Sequence, residues 1–389
     1  MNSLSTNQRN ITSESAPLVL AIDTSCDDTS AAVTLGNIVL SNVVASQTDI
    51  HAPHGGVFPT LAKQAHHENI EPTVKKSLKL AGVDLKMLDA IAVTVGPGLA
   101  PALEIGIDYA EKLASNLHKP LFGINHLEAH LLSVLALRNH KFIKTKEYLK
   151  QKELSLTPDF KFKPDSIFHQ KTIFPVLGLI FSGGHSQFVQ VDDIGQYKIL
   201  GETVDDALGE ALDKVGRMLG LGYPAGPVIE QLAKKGDKNS FSFPLPMTTS
   251  DNFNLSYSGL KTAAHRLIKS FEKKQLTKQD VHNLAASFQE AAFRHLCYKL
   301  EKLLVKNNSI NFSEVWLGGG VANNTYLRQK IRQTISPHHL KLKTPYSKRL
   351  CSDNAAMIGV VAGLRIINNS IKPMVNPDRK PSWRLGESC

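Results

Sequence analysis

The sequence predicts an α/β protein of two similar lobes, and three observations predict it. At 389 residues the chain is longer than one simple layered domain and long enough for two of ordinary size. Each half opens with the same order of elements: a strand, a polar turn and two further strands. Each half later offers an apolar strand that runs into a glycine turn beside a helix.

In the first half, residues 18–22 are an apolar run, 23–28 a polar and acidic turn, and 30–35 the returning strand of a hairpin. Residues 38–47 add a third strand, and 58–80 carry apolar residues at helical spacing. A buried strand at 90–95 leads into Gly96-Pro97-Gly98, followed by a helix at 100–117, a strand at 121–124 and a helix from Leu127. Residues 139–172, rich in Lys and Phe, break the pattern and read as an insertion between lobes. The organisation restarts with a strand at 176–181, the turn Ser182-Gly183-Gly184-His185, and strands at 187–191 and 198–201. After several helices, the strand at 314–317 again meets glycines, Gly318-Gly319-Gly320. Two such lobes facing each other make the duplicated actin-like (ASKHA, ribonuclease H-like) architecture of actin, Hsp70 and sugar kinases, with a nucleotide cleft between the lobes. The pattern alone fits an ordinary doubly wound sheet equally well. The expected division is a disordered extension at 1–16, lobes at 17–138 and 173–372 with the insertion between them, and a basic tail at 373–389 packed on the surface.

Composition narrows the function classes. With 42% hydrophobic and 21% charged residues the chain can bury a core. Its apolar stretches stop far short of the roughly 20 residues a membrane span requires, so no membrane association is expected. Residues 1–16 lack the apolar block of a secretory signal and give little support to a mitochondrial one. The four cysteines, Cys26, Cys297, Cys351 and Cys389, are scattered without a CxxC pair, which points to a reducing cytoplasm. A net charge of +10 suits a polyanionic partner, and by itself it suits solubility as well.

Three constellations carry candidate chemistry. His126-Leu127-Glu128-Ala129-His130 places two imidazoles four residues apart, on one face of a helix, where they can share a metal. A bare pair of this kind is more often one packed and one solvated histidine, so its context decides. A metallopeptidase would need its glutamate directly after the first histidine. Glu128 stands two positions on, roughly 200° around the helix from His126, and cannot be that base. The second constellation is the set of glycine turns at 96–98, 182–184, 220–226 and 318–320, whose backbone N–H groups can cradle phosphate. The third is acidic: Asp23, Asp27, Asp28, Asp205, Asp206, Asp213 and Asp353, of which any that face a cleft can bind a metal, a ribose or water. Neither a GxSxG nucleophile nor a Walker lysine motif is present.

Taken in order, the segments resemble one family, the tRNA threonylcarbamoyladenosine transferases of the TsaD type, once labelled O-sialoglycoprotein endopeptidases. The resemblance rests on Ile22-Asp23-Thr24-Ser25-Cys26-Asp27-Asp28-Thr29, Gly55-Gly56-Val57-Phe58-Pro59 and the 125–130 segment. It continues through Phe181-Ser182-Gly183-Gly184-His185-Ser186, the acidic run from Asp205 to Val215, Leu221-Gly222-Tyr223-Pro224-Ala225-Gly226-Pro227 and Ser258-Gly259-Leu260-Lys261-Thr262. It ends with the 318–324 glycine turn and Leu350-Cys351-Ser352-Asp353-Asn354-Ala355-Ala356-Met357.

The resemblance implies the actin-like fold and transfer of a threonylcarbamoyl group from threonylcarbamoyl-AMP to N6 of the adenosine 3′ to the anticodon in tRNAs reading ANN codons, with release of AMP. It implies one divalent ion per subunit, Fe2+ or Zn2+, held by His126, His130 and Asp353. It places substrate against Ile180, Phe181, Ser182, Gly183, Gly184, Asp213, Gly226 and Asn324, with Asp27 as a catalytic acid near the adenylate. It implies tRNA, a smaller TsaB-type paralogue and a TsaE-type P-loop ATPase as partners. A metalloendopeptidase and a non-catalytic scaffold of the same fold are the alternatives. The chain departs from the family at Asp23, where Glu is usual, and at Ala100-Pro101, where Gly is common. Ile180 stands where the archaeal and eukaryotic branch has a tyrosine ligand, and His185 where that branch has Asn, so the bacterial or organellar type is expected.

Overall fold

The computed structural model describes residues 16–139, 173–271 and 276–387. The expected extension up to residue 15, and the expected insertion from residue 140 to 172, lie outside the described residues. Among those described, the first sheet holds β1 (Leu18–Asp23), β2 (Asp28–Leu35), β3 (Ile38–Ser46), β4 (Ala90–Gly96), β5 (Leu121–Asn125) and the short β6 (Leu137–Arg138), in the order β5-β4-β1-β2-β3-β6. The second holds β7 (Val176–Phe181), β8 (Ser186–Asp193), β9 (Gln196–Glu202), β10 (Val315–Gly318) and β11 (Leu342–Lys343), in the order β11-β10-β7-β8-β9.

The two sheets repeat one topology. In each, the first strand pairs antiparallel with the second and the second with the third, while β4 and β5 in one sheet and β10 and β11 in the other add in parallel on the far side of the first; the short β6 adds in parallel beyond β3. The antiparallel β2 and β8 decide against an ordinary doubly wound sheet, whose strands run parallel. Duplication of an actin-like unit accounts for both sheets.

The helices are α1 (Thr48–His51), α2 (Pro59–Ala81), α3 (Ala100–Leu117), α4 (His126–Leu132), α5 (Leu208–Met218), α6 (Gly226–Ala233), α7 (Ser258–Ser270), α8 (Lys278–Lys306), α9 (Thr325–Ile335) and α10 (Ala355–Ile367). Alternation along the strands sorts side chains between them. Leu18, Leu20 and Ile22 of β1 join the core shared with α2 and α3, whereas Val19 and Ala21 point to a central layer. In β7, Leu177, Leu179 and Phe181 meet the core under α5, α7 and α8, whereas Val176 and Ile180 face the same central layer.

Helices α4 and α10 fill that central layer, and they cross over between the halves. The first-half helix α4 packs on β7 and β10 of the second sheet, and the second-half helix α10 packs on β1, β2 and β3 of the first. Both approaches are close enough to need glycine. A methyl group built on Gly318 of β10 would lie 2.2 Å from the His130 carbonyl oxygen, and one on Gly363 of α10 would lie 2.4 Å from that of Gly36.

The tail differs from the surface segment expected. Lys380 N–H donates to the Val95 carbonyl (2.7 Å) and Met374 N–H to that of Leu121 (2.8 Å). Trp383 is buried in the first-lobe core and Leu385 in the central one. The apolar surface of those two side chains pulls an otherwise polar segment into a strap joining both cores. No helix among the described residues is long and apolar enough to cross a membrane.

Gly363→Ala tests the crossover. Alanine gains about 1 kcal/mol of helix propensity over glycine, but its methyl meets backbone atoms that cannot rotate away, and overpacking of that kind costs about 1–3 kcal/mol. The expected net effect is a lower midpoint of thermal unfolding followed by circular dichroism. A midpoint at or above that of the unaltered chain would contradict the packing described.

Candidate metal centre

The parallel strands β1, β4 and β5 end at one edge of the first sheet, which puts the residues following them side by side. Asn125 closes β5 and caps α4, its Oδ1 accepting from the N–H groups of Leu127 (2.8 Å) and Glu128 (3.2 Å). The cap starts the helix at His126, so His126 and His130 fall one turn apart on the same face. Asp353 arrives from the loop ahead of α10, where Asn354 caps the helix by accepting from Met357 N–H (3.2 Å).

The three side chains converge as expected. His130 Nε2 lies 3.1 Å and His126 Nε2 3.5 Å from Asp353 Oδ1, with the two ring centroids 4.5 Å apart and nearly perpendicular. One donor atom from each of the three lies within 4.8 Å of the others, and this is the metal-competent His/Cys/Asp/Glu group found among the described residues. His130 is fully buried and His126 nearly so, yet His126 Nδ1 and both His130 nitrogens lack a hydrogen-bond partner. The 3.1 Å contact between His130 Nε2 and Asp353 is therefore close without being aligned as a hydrogen bond. Unpaired imidazole nitrogens facing a carboxylate fit a divalent ion that prefers N and O donors.

Charge points the same way. Asp23 Oδ2 lies 3.7 Å from His126 Nδ1, too far for a hydrogen bond but close enough for a strong Coulomb interaction. Burial alone would lower the His126 pKa, but Asp353 and Asp23 outweigh it and raise it to about 10. His130 is pushed down by burial and by His126. Burial works against ionised Asp353, but the two histidines hold its carboxyl well below the usual range. His185, closing the 182–185 turn, is pushed down to about 4 by burial and by the same two imidazoles. The carboxylates of buried Asp23 and partly exposed Asp353 thus favour positive charge at the histidine pair, which an imidazolium or a metal cation supplies.

Glu128 occupies the other face of α4. Its oxygens accept from Tyr197 Oη (2.8 Å) and pair with Arg365 Nη1 (3.2 Å). It is pinned away from the histidines, and a peptidase base is missing from their side of the helix.

The remaining candidates fall in different roles. Gly183 and Gly184 face open space, in a turn closed by Ser182 N–H to the His185 carbonyl (2.9 Å) and His185 N–H to Ser182 Oγ (3.1 Å). Ile180 and Phe181 are fully buried, their side chains committed to the two cores, which leaves only their backbone for a ligand. Asp213 Oδ1 accepts from Ala225 and Gly226 N–H (both 2.8 Å), so the Gly226 N–H is already engaged. Asn324 caps α9 through Leu327 N–H (3.0 Å) and donates to Gln289 Oε1 (2.8 Å), which uses both ends of its amide. Asp27 is half-buried in the β1–β2 turn beside Cys26. The sequence marks Asp23 only as one of several acids able to face a cleft, and His185 only as part of a glycine-turn motif, without tying either to the histidine pair. The signals for both were positional: Asp23 ends the strand parallel to the one leading to His126, and His185 ends the glycine turn after β7.

Residues 38–142 and 164–360 match the family described as TsaD, tRNA N6-adenosine threonylcarbamoyltransferase. The break between the two matched stretches falls inside the expected insertion. The tRNA N6-adenosine threonylcarbamoyltransferase of Thermosipho africanus is 40% identical over 368 residues, covering 95% of this chain and all of that protein. That of Clostridium perfringens (strain SM101) is 39% identical over 373 residues, covering 95% and 98%. Among solved structures, T. kodakarensis HypF superposes with a TM-score of 0.55 at 13% identity, covering 91% of this chain and 48% of that one. Full-length HypF in its phosphate- and nucleotide-bound form superposes at 0.50 and 14% identity, covering 94% and 57%. At such identities the likeness carries the actin-like fold alone.

Two outcomes are expected at this centre. Ligation requires unprotonated imidazole, and His126 is drawn up to about 10. Protons therefore compete increasingly as pH falls from 8 to 6, while Asp353 stays ionised. Apparent affinity for Zn2+ should drop by about tenfold per unit for each proton displaced; competition with a chelating dye at both pH values reads it, and a pH-independent affinity would contradict the site. Glu128→Gln should leave metal affinity unchanged. Its partner Arg365 is partly exposed, so the loss of charge should lower unfolding stability by only about 1–3 kcal/mol in denaturant titration.

Proposed function

The chain belongs to the tRNA N6-adenosine threonylcarbamoyltransferase family, and from that premise we propose that it moves the threonylcarbamoyl group of threonylcarbamoyl-AMP to N6 of the adenosine 3′ to the anticodon. The acceptors are tRNAs reading ANN codons, and the second product is AMP. The observation that carries this reading is the convergence of His126, His130 and Asp353, brought together from two helices that exchange sheets. Their retention speaks for catalysis over a scaffold role.

His126, His130 and Asp353 are the residues that would hold a divalent ion, Fe2+ or Zn2+. When bound, the ion supplies Lewis-acid polarisation of the threonylcarbamoyl carbonyl, which a weakly nucleophilic exocyclic amine needs. The protein's own groups do the rest. Asp23 orients and polarises His126 from behind. The open turn closed by Ser182 offers the backbone N–H groups of Gly183 and Gly184 to the adenylate phosphate without side-chain obstruction. Ile180 and Phe181 anchor that turn by burying the strand that carries it. Asp213 holds the Ala225–Gly226 backbone in place, and Gly226 presents no side chain to a nucleotide lying on it. Asn324 secures the backbone that follows the 318–320 turn. Asp27 is the acid beside the adenylate. Holding both substrates in reacting geometry accounts for most of the rate in this account.

The net charge of +10 suits tRNA. A smaller TsaB-type paralogue and a TsaE-type P-loop ATPase are the proposed protein partners. The proposed compartment is the cytoplasm, where Cys26, Cys297 and Cys351, all free here, stay reduced. The proposed lobes are 17–138 and 173–372, with α10 lent by the second to the first.

Mixing the protein with threonylcarbamoyl-AMP and tRNA, with and without candidate partners, and analysing the nucleosides by mass spectrometry tests the reading. N6-threonylcarbamoyladenosine should form. His126→Ala should lower the rate about 1,000-fold or more, the scale of several kcal/mol of charge stabilisation, with an unchanged circular dichroism spectrum. Undiminished transfer by that variant would sink the metal role.

A further inference from the structure

Arg217 feels the carboxylate of Asp213 only through space, without an ion pair or hydrogen bond to it among the described residues. It lies on α5 four residues after Asp213, and residues so spaced share a helix face. Asp213 belongs to the proposed adenylate site, so Arg217 lies one turn further along that face. Its side chain is exposed, and it makes no ion pair or side-chain hydrogen bond among the described residues. The neighbouring cations differ. Lys214 is paired with Asp206 (2.5 Å) and Glu210 (2.8 Å), and Lys261 with Asp206.

The turn at Gly55 and Gly56, from the opposite lobe, lies beside the stem of Arg217. A methyl group built on Gly55 would be 3.4 Å from Arg217 Cδ and 3.8 Å from Nη1, and one on Gly56 4.0 Å from Nη1. Gly55 adopts φ +67°, and its N–H donates to the Ala52 carbonyl (3.1 Å), which closes the turn. A bare turn therefore runs alongside the arginine, with room of about one methyl group between them, and leaves the residue exposed. A guanidinium beside an unobstructed glycine turn leaves an anion room to approach, and its planar fork matches phosphate oxygens.

We propose that Arg217 binds a backbone phosphodiester of the tRNA as the target adenosine enters between the lobes. This rests on the function proposed above and names the group that receives its polyanionic substrate. The adenylate carries a phosphate too, so the shared chemistry is phosphate recognition. Arg217 is exposed where Asp213 is half-buried, which favours the larger substrate.

The test uses the full chain, with whatever partners the unaltered protein needs for turnover, and the variants Arg217→Ala and Arg217→Lys. Binding of fluorescently labelled tRNA is followed by anisotropy from low to moderate salt, and KM is measured for each substrate. Arg217→Ala should weaken tRNA binding about tenfold and flatten the log–log salt slope by about 0.7, the value for one phosphate of a single strand. KM for threonylcarbamoyl-AMP and the thermal midpoint should not move. Arg217→Lys should restore the slope while recovering only part of the affinity, because it keeps the charge and loses the fork. Unchanged tRNA affinity and slope in Arg217→Ala would overturn the proposal, as would a raised KM for threonylcarbamoyl-AMP with tRNA binding intact. Failure of the functional reading looks different: the unaltered protein would yield no modified nucleoside.

Discussion

Everything at the centre depends on how closely α4 can approach the second sheet. The His130 carbonyl sits where a side chain on Gly318 would be, so this helix of the first half is seated on a strand of the second. The reciprocal seating of α10 on the first sheet brings Asp353 to the same place. The histidines and the aspartate are 223 residues apart between His130 and Asp353 in sequence (353 − 130). They meet because two helices exchange sheets, and an actin-like duplication supplies the two sheets in the same order.

With that geometry in place, charge decides the chemistry. Asp23 is buried and Asp353 only partly exposed, and the imidazole of His126 lies close to both. Leaving two carboxylates uncompensated there would be costly, which makes the cluster a receptor for a cation. The same helix keeps a second charge pair on its other side, where Glu128 is neutralised by Arg365 and hydrogen-bonded by Tyr197. One short helix thus carries a ligand face and an anchoring face, and the acid that a hydrolytic reading would need is spent on the anchor.

The sequence made the large regular elements legible because their apolar periodicity is strong. The helix at 100–117 and the strand at 176–181 appear with the bounds expected of them. The two-residue strands β6 and β11 carry too little pattern to be seen. The tail misled because Trp383 and Leu385 are isolated among polar neighbours, and only tertiary packing shows that both are buried. At the site, the helical spacing of His126 and His130 was local information, and their shared face followed from it. Asp353 was legible only through family resemblance, since no local rule links it to α4. Among the substrate residues the resemblance named residues rather than atoms. Phe181 and Asn324 turn out to have side chains fully engaged elsewhere, so backbone placement is what their positions supply.

Where a metal binds decides whether His126, His130 and Asp353 are its ligands. The most direct measurement is an anomalous difference map from crystals of the full chain loaded with Zn2+. The expected result is one peak at about 2.0–2.2 Å from a ring nitrogen of His126, a ring nitrogen of His130 and a carboxylate oxygen of Asp353. A loaded crystal whose peak lies elsewhere, or which shows none between these three residues, would contradict it.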